Sequence, residues 1–541
     1  VRLTQHRLRI AALLLAIGGP VHAQRAATVP ASSGIYDRLE SVSAYFPVAE
    51  TTLGERGLSR REIERIVARL SAAIDSSPRL DARQRWARAE IDVVAAQLRD
   101  PRGVMEAPRG IAAASWRADL FSSNAPSQRI EGNGLGEIDA VSNPFAGGRH
   151  GWPAVQGTIA TVAPTFVAGT RASLAAGLQL QSSLTSVREG GWTAERLVNR
   201  AYLRGVYRNV ALQVGAEELR WGQSPIGALF ISGTAPPMPG IAVATDTAIR
   251  LPWLLRYAGP FRMTLMVADL GGTQDPPHAK LAGWQATIHP WSRFELGVAV
   301  LTHTGGEGGP PATFLEHVVD LFPVIDALAP QHADLQISNK VAGGNLRLRF
   351  PELSGLDLYY ELQIDDFDGR RLRSSLTDDS GHLLGMRLPL LVGDDQFVWR
   401  AEWHRTSLRL YEHAQFRSGL TYRSRLIGNP LGPHAAAGHL AATWRWSPLN
   451  SVGISLADER RDPAQYVVVI AGDRDRGFQF VRTTDDPDYR RRRAAAVMEH
   501  ALPAGALRLL VGYNRDWRTG MPARGDWGLV LSLTSHRLAA F

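Results

Sequence analysis

The sequence predicts a mainly β protein: a transmembrane antiparallel β-barrel of about 18 strands, an even number within the range of bacterial barrels, with a small amino-terminal periplasmic α-helical bundle. Three observations carry this. Apolar and polar residues alternate with period two through most of the chain, short and long connections alternate between the resulting strands, and no uninterrupted apolar run beyond the amino terminus is long enough for a membrane-spanning helix. The stretch 345–365 shows the first most clearly. Leu346, Leu348 and Phe350 alternate with Asn345, Arg347 and Arg349, and after a Pro/Ser/Gly turn Leu356, Leu358, Tyr360, Leu362 and Ile364 alternate with Asp357, Tyr359, Glu361, Gln363 and Asp365. Such a hairpin has one apolar and one charged face, and lipid outside with a polar lumen inside satisfies both. Closure is then obligatory, because an open sheet edge in hydrocarbon leaves backbone donors and acceptors unpaired.

Taken in order, residues 1–23 read as a secretory signal. Arg2, His6, Arg7 and Arg9 precede the apolar run IAALLLAIGG, and VHA offers small residues for cleavage after Ala23. Residues 24–110 form the helical bundle. Ser59 and Glu62 have capping-box spacing ahead of a stripe of Ile63, Ile66, Val67, Leu70 and Ile74. Asp81 and Gln84 cap a second helix whose stripe is Ile91, Val94, Ala95 and Leu98, and a shorter segment surrounds Tyr36, Leu39 and Val42. The stripes are narrow, so the bundle must also rest on something else.

Residues 111–541 form the barrel. The tight connections are Arg208-Asn209, AGP after Tyr257, HPWSR at 289, PELSG at 351, PLLVGDD at 389, SPLN at 447 and PAG at 503. The long ones are 221–245, 303–339, 366–381, 405–436, 460–490 and 516–525. Short turns at the periplasmic end and long loops outside are the barrel pattern. The last strand places Trp527, Leu529, Leu531, Leu533, Ala539 and Phe541 on one face, interrupted by Ser535 and Arg537. A terminal aromatic such as Phe541 looks like the signal read by the outer-membrane barrel-assembly machinery.

Composition mainly excludes. Zero cysteine removes disulfides, thiolate metal sites and cysteine nucleophiles. The formal charge of +8 is carried almost wholly by arginine, since Lys280 and Lys340 are the only lysines; no RRM or zinc-finger pattern accompanies it, so nucleic acid is not a predicted partner. The 15 histidines include no HExxH and no metal-ligand spacing, so no metal or cofactor is predicted. Asp365 and Asp366 are adjacent and point opposite ways on a strand, which is not a glycosidase pair. No catalytic residue is assigned.

The segment 217–243, EELRWGQSPIGALFISGTAPPMPGIAV, resembles the Wzi-type capsule assembly proteins of the outer membrane. Arg220, Trp221 and Gly222 match the end of their characteristic strand, followed by Gly227, Leu229 and Ser232 and then by Pro236, Pro237 and Pro239. Family members often carry Gly-Pro-Gly after the Trp; this chain has Gln223, Ser224 and Pro225 after Gly222. YYELQIDD, the GLSRREIERIV helix and SGLTYRSRLIGNPLG at 418–432 are similar to the family as well. The resemblance implies an eighteen-stranded outer-membrane barrel with a periplasmic bundle, acting as a lectin that helps hold capsular polysaccharide on the cell.

Sugar binding calls for aromatic faces and planar polar groups, and an acidic polymer adds a need for arginine. Arg220, Trp221, Asp365, Asp366, Tyr422, Arg423 and Arg425 meet those needs at strand ends or in long loops. Each has a plainer alternative. Trp221 and Tyr422 suit an interfacial aromatic girdle, Arg220 suits a lumen ion pair with Glu217 or Glu218, and Asp365 and Asp366 suit solvated loop carboxylates. The dense basic run at 490–493 suits either an anionic polysaccharide or lipid phosphate, or a solvated loop or strand base. A diffusion channel is the competing function, with residues 303–339 or the amino-terminal bundle as candidate plugs.

Overall fold

The computed structural model describes residues 26–77, 81–98, 109–123, 130–132, 136–138, 155–169, 172–187, 191–309, 313, 316–317, 321–322, 338–365, 376–377, 379–413, 415–423, 425–461, 465–469, 479–483, 489–502 and 505–535. Residues 1–23, where a signal sequence is expected, lie outside the described residues, as do Asp366, Arg537, Phe541 and most of the 303–339 segment.

Ser59, in an extended conformation, caps α2 (Arg60–Asp75) by accepting from the Glu62 amide, so the capping spacing forms as expected. Asp81 accepts from the Gln84 amide at the start of α3 (Ala82–Leu98), and α1 (Ile35–Tyr45) covers the third apolar segment. The buried stripes of the three helices meet in one cluster with Tyr36, Leu39, Ile63, Ile66, Ile91 and Val94. Ala95 sits at its half-buried edge.

Among the described residues, eighteen strands then form one ring, with the two-residue strand Ile249–Arg250 paired beside Pro260 and Phe261. They are β1 (Arg109–Ser123), β2 (Val155–Gly169), β3 (Ala172–Val187), β4 (Gly191–Tyr207), β5 (Val210–Ala216), β6 (Pro239–Thr245), β7 (Pro260–Asp269), β8 (Lys280–Trp291) and β9 (Phe294–Thr304), followed by β10 (Ser338–Phe350), β11 (Leu356–Asp365), β12 (Ser380–Val392), β13 (Asp395–Thr406), β14 (Ala435–Ser447), β15 (Asn450–Arg461), β16 (Tyr489–Leu502), β17 (Gly505–Arg518) and β18 (Arg524–Ser535). Each pairs antiparallel with its neighbour, and β1 pairs with β18 from Trp116↔Ser535 to Ser123↔Gly528, which closes the barrel. Closure leaves the wall with no lateral edge strand, as a hydrocarbon environment demands.

Period two sets the two faces. Across β13 to β18, Ala401, Leu440, Leu456, Ala494, Tyr513 and Trp527 stand side by side in register on the outside, with Trp399, Ala442, Ile454, Ala496, Val511 and Leu529 in the next row. Ile454, Leu456 and Trp527 are about half exposed, as expected of side chains that meet lipid tails instead of protein. On the inside, Arg347, Arg349, Asp357 and Glu361 of the β10–β11 hairpin are buried in the lumen.

Two connections differ from expectation. Residues 239–245 are a strand, since Gly240, Ala242 and Ala244 alternate with outward Ile241 and Val243 in a regular ladder. The AGP turn belongs to a longer connection, 246–259, with a short 3-10 helix at Trp253–Ala258. There Trp253, Leu254, Leu255 and Tyr257 are exposed at the short-turn end of the wall.

The helices rest on that same end. Tyr45 Oη donates to the Pro389 carbonyl (2.6 Å), Ser59 Oγ to the Asp246 carbonyl (3.2 Å), and Glu295 of the wall accepts from the Gly54 amide (2.7 Å). Glu40 of α1 is buried among arginines. Arg56 lies 2.7 Å away, Arg347 3.5 Å and Arg400 3.7 Å, while Arg387 donates to the Glu40 carbonyl and to Ser41 Oγ. Burial by itself raises the Glu40 carboxyl, but Arg347, Arg56, Arg400 and Arg387 outweigh it and hold the group well below the usual carboxylate range.

Removing this carboxylate leaves buried guanidinium groups uncompensated. Glu40→Ala is therefore expected to cost about 3–5 kcal/mol and to release the helices from the wall, measured as faster limited proteolysis of residues 26–98 with the barrel still heat-modifiable on gels. A change no larger than that caused by Asp92→Ala, on an exposed helical position, contradicts this role. Because the folded value is depressed, the Glu40 contribution is full above the unfolded value of about 4.3 and is lost as pH falls toward the folded one. Protection of the helices is expected to hold from pH 8 to 5 and to weaken below pH 4; protection independent of pH in that acid range speaks against it.

Candidate functional site

The segment 217–238, between β5 and β6, turns into the lumen instead of standing above it. Its backbone is stapled to the helical segment by a two-residue ladder, Glu55↔Trp221 and Arg56↔Arg220, and to itself by Trp221↔Ile231. Gly222 has a φ of +133°, and a Cβ there would come within 2.8 Å of both the Ala228 Cβ and the Glu361 carboxylate, so the glycine after the Trp is sterically required.

Glu361 of β11 is the anchor. Its carboxylate accepts from the backbone amides of Gln223 (2.6 Å), Ser224 (2.8 Å) and Leu229 (2.8 Å), a shell of donors that binds the segment to the wall. The departure from Gly-Pro-Gly is used here. Gln223 Nε2 donates to Asn345 Oδ1 (2.8 Å) and Glu295 Oε1 (3.1 Å), and Ser224 Oγ donates to Glu402 Oε2 (2.6 Å). Tyr359 Oη and His404 Nε2 meet the same Glu402 carboxylate. The Ser224 proton is thus directed at the Glu402 carboxylate, and the contact fastens the segment to the wall.

Segment 407–434, between β13 and β14, lies over the first. Tyr411 Oη donates to the Leu229 carbonyl (2.8 Å) and accepts from the Asn429 amide (2.9 Å); Ser232 donates its amide to the Ile427 carbonyl. An apolar cluster of Trp221, Phe230, Leu410, Tyr411, Tyr422 and Leu426 joins the two segments. A cleft remains at the side of 217–238, lined by Asn199, Glu217, Glu218, Ile231, Pro236 and Met238.

These contacts place the sugar-site candidates. Trp221 is fully buried (0 % exposed) and Tyr422 nearly so (4 %), so both pack within the lumen filling and neither is a girdle residue nor a face open to ligand. Arg220 is buried beside them. Its Nε and Nη2 have no hydrogen-bond partner among the described residues, and burial, then Arg56, brings it down to about 9, still cationic at neutral pH. It does not pair with Glu217 or Glu218. Glu217 takes Arg200 and Thr28 instead, and Glu218 takes Ser32. Asp365 is buried, not solvated, and accepts from the Tyr411 amide (2.7 Å).

Tyr422, Arg423 and Arg425 share one tight hairpin turn, Thr421–Tyr422 against Arg425–Leu426. Arg423, at φ +50°, stands exposed over the Tyr422 ring at 5.3 Å, and Arg425 is half-buried. Of the described candidates, Arg423 is the exposed one. Sequence reasoning missed the anchors Glu361, Gln223, Ser224 and Glu402. The signal for Glu361 was present as an inward carboxylate, but its partners are backbone amides, which no side-chain pattern announces. Among the described residues, no group of three or more His, Asp or Glu is placed to hold a metal ion.

The whole architecture has a solved counterpart. The Escherichia coli outer-membrane protein Wzi, described as a carbohydrate-binding β-barrel involved in group 1 capsule assembly, superposes with a TM-score of 0.66 over 95% of this chain and 100% of its own, at 15% identity. An uncharacterized 55.8 kDa protein in the cps region of Klebsiella pneumoniae is 30% identical over 113 residues; that match spans about a fifth of its length, 22%, and 21% of this chain. Residues 155–491, from β2 into β16 and including both lumen segments, match the family of the capsule assembly protein Wzi, and the chain belongs to that family.

Proposed function

We propose that this protein is an outer-membrane barrel that binds capsular or other surface polysaccharide and helps attach or assemble it at the cell surface. The observation that carries this reading is the family match over residues 155–491, which takes in the lumen-filling segments as well as most of the wall. The helices at the short-turn end face the periplasm, and the long-loop end faces outward. Polymer is held there by weak contacts repeated along many sugar units, a passive mechanism that needs no catalytic step. The hairpin turn bearing Arg423 and Arg425 supplies planar cationic groups for hydroxyls or carboxylates. Trp221 acts from beneath, by fixing the surface on which that turn stands.

The segment fastened inside the lumen favours adhesion over diffusion. Gln223, Ser224 and Leu229 hold the 217–238 segment on Glu361, and the helices cover the short-turn end. Planar-bilayer recordings are expected to show no large, steady conductance; open-pore currents from the unmodified protein make it a channel instead. Glu361→Ala, which removes the acceptor of three amides, is expected to introduce intermittent currents.

Retention of purified polymer on the refolded protein separates the site residues. Arg423→Gln is expected to weaken retention by roughly threefold to tenfold, the effect of about 1 kcal/mol for one hydrogen-bonding group, with heat-modifiability unchanged. Trp221→Ala is expected to lower stability by about 3–5 kcal/mol and retention with it. Normal retention by both variants removes this face from the binding surface.

A further inference from the structure

The basic run 490–493 divides between the two faces of the wall. Arg491 and Arg493 point inward, where Arg491 meets Asp516 (2.8 Å and 3.1 Å) and Arg493 meets Glu459 (3.1 Å). Arg490 and Arg492 point outward and are exposed. Register then aligns them with other outward positions. Trp403, Gly438, Asp458, Arg492 and Arg515 form one row across β13 to β17, and Arg405, Ala436, Arg460, Arg490 and Trp517 form the next toward the long loops.

Within these rows five arginines stand with one carboxylate. Asp458 orients two of them, accepting from Arg490 Nε at 2.9 Å and lying 3.7 Å from Arg492 Nε. Trp517 orients two, with Arg492 and Arg515 over its ring at 5.5 Å and 5.2 Å. Ala436 and Gly438 keep the floor low, so that a groove opens between Trp403, Asp458, Arg460 and Arg490.

Position decides what such a groove takes. The row immediately below, two residues along each strand or about 7 Å, is the apolar row of Leu440, Leu456 and Ala494 described above. A ligand seated on the arginines therefore continues straight down onto lipid-facing surface. Planar guanidinium groups match phosphate oxygens in pairs, and a positive patch bordering hydrocarbon is complementary to an anionic headgroup whose chains lie alongside the wall. A polysaccharide has nothing to set against that apolar row. We propose that this outward face of β13 to β17 is a binding site for the phosphate group of a lipid headgroup in the leaflet on the long-loop side. The site rests on the membrane-barrel reading and is independent of where the polymer binds.

The test uses the full-length protein in detergent, with lipid adducts counted by native mass spectrometry. The probes are lipid A carrying both phosphates, the same lipid after dephosphorylation, and inorganic phosphate. The phosphorylated lipid is expected to bind at least about tenfold more tightly than the dephosphorylated one, as two charge-assisted guanidinium contacts imply, and inorganic phosphate is expected not to displace it at equal concentration. Arg490→Gln with Arg492→Gln is expected to abolish that preference, and Asp458→Asn, which removes the competing carboxylate, to increase binding. Polymer retention by both variants is expected to stay at the parental level. Equal binding of the two lipids, displacement by inorganic phosphate, or a parental preference in the double glutamine variant overturns the site. If the double glutamine variant fails to fold, Arg490→Lys with Arg492→Lys and Asp458→Asn decide: an unchanged lipid preference in both refutes it. Loss of polymer retention with lipid binding intact reassigns these arginines to the polysaccharide. Failure of the polymer-binding reading shows itself separately, as absent retention by the parent while the lipid preference persists.

Discussion

Carboxylates buried in the lumen are the constraint on which the rest of this structure depends. A barrel of eighteen strands has a lumen too wide for side chains from the wall alone to fill, and here that wall carries arginines that need partners away from water. The chain supplies them in two directions. Glu40 comes from α1 into a group of wall arginines, while Glu361 stays on the wall and collects backbone amides from an inserted segment. One solution brings an acid to fixed cations; the other brings neutral donors to a fixed acid. Both make the filling of the lumen part of the fold and not an accessory to it.

The segments inside the lumen are linked in series from the helices to the wall. The helices are joined to the 217–238 segment by the ladder Glu55↔Trp221, that segment to 407–434 through Tyr411 and Ser232, and the last to Asp365 of the wall through the Tyr411 amide. A buried carboxylate in low dielectric is costly unless donors meet it, so each contact that answers one stabilises the network. This explains why Gln223 and Ser224 are tolerated after Gly222. Each replaces a small or rigid residue with a side chain that answers a wall carboxylate or amide.

Much of the wall was legible from residue order, because period two is a geometric consequence of the pleat and survives any tertiary context. Leu346, Leu348 and Phe350 against Arg347 and Arg349 could be assigned to lipid and lumen without coordinates, and the helix cap at Ser59 likewise. The run 490–493 could have been divided the same way. The loops were less legible. A buried tryptophan and a sugar-stacking tryptophan have the same composition signal, and Trp221 belongs to the first kind because the long connection that holds it folds inward. Nothing in a single chain marks that inward turn, since the anchors are amides meeting Glu361. Arg220 was expected near Glu217 or Glu218, its neighbours in sequence, but Arg200 on β4 takes the Glu217 carboxylate with two nitrogens and Ser32 takes Glu218.

The same alternation gives the wall a different chemistry on its two sides at one height. Along β15 and β16, Arg493 donates to Glu459 inside and Arg491 to Asp516, while Asp458, Arg490 and Arg492 face outward, two arginines beside one carboxylate. An inward excess would be buried and would have to be neutralised by protein. An outward excess is exposed to whatever surrounds the wall, and at that height the surroundings change from hydrocarbon to headgroups. Arginine suits that boundary because its stem covers apolar surface while its planar head reaches polar groups above. Charge matching within and charge surplus without are thus two results of one pleat, and the second is open to selection by membrane composition without disturbing the lumen network that holds the barrel's contents in place.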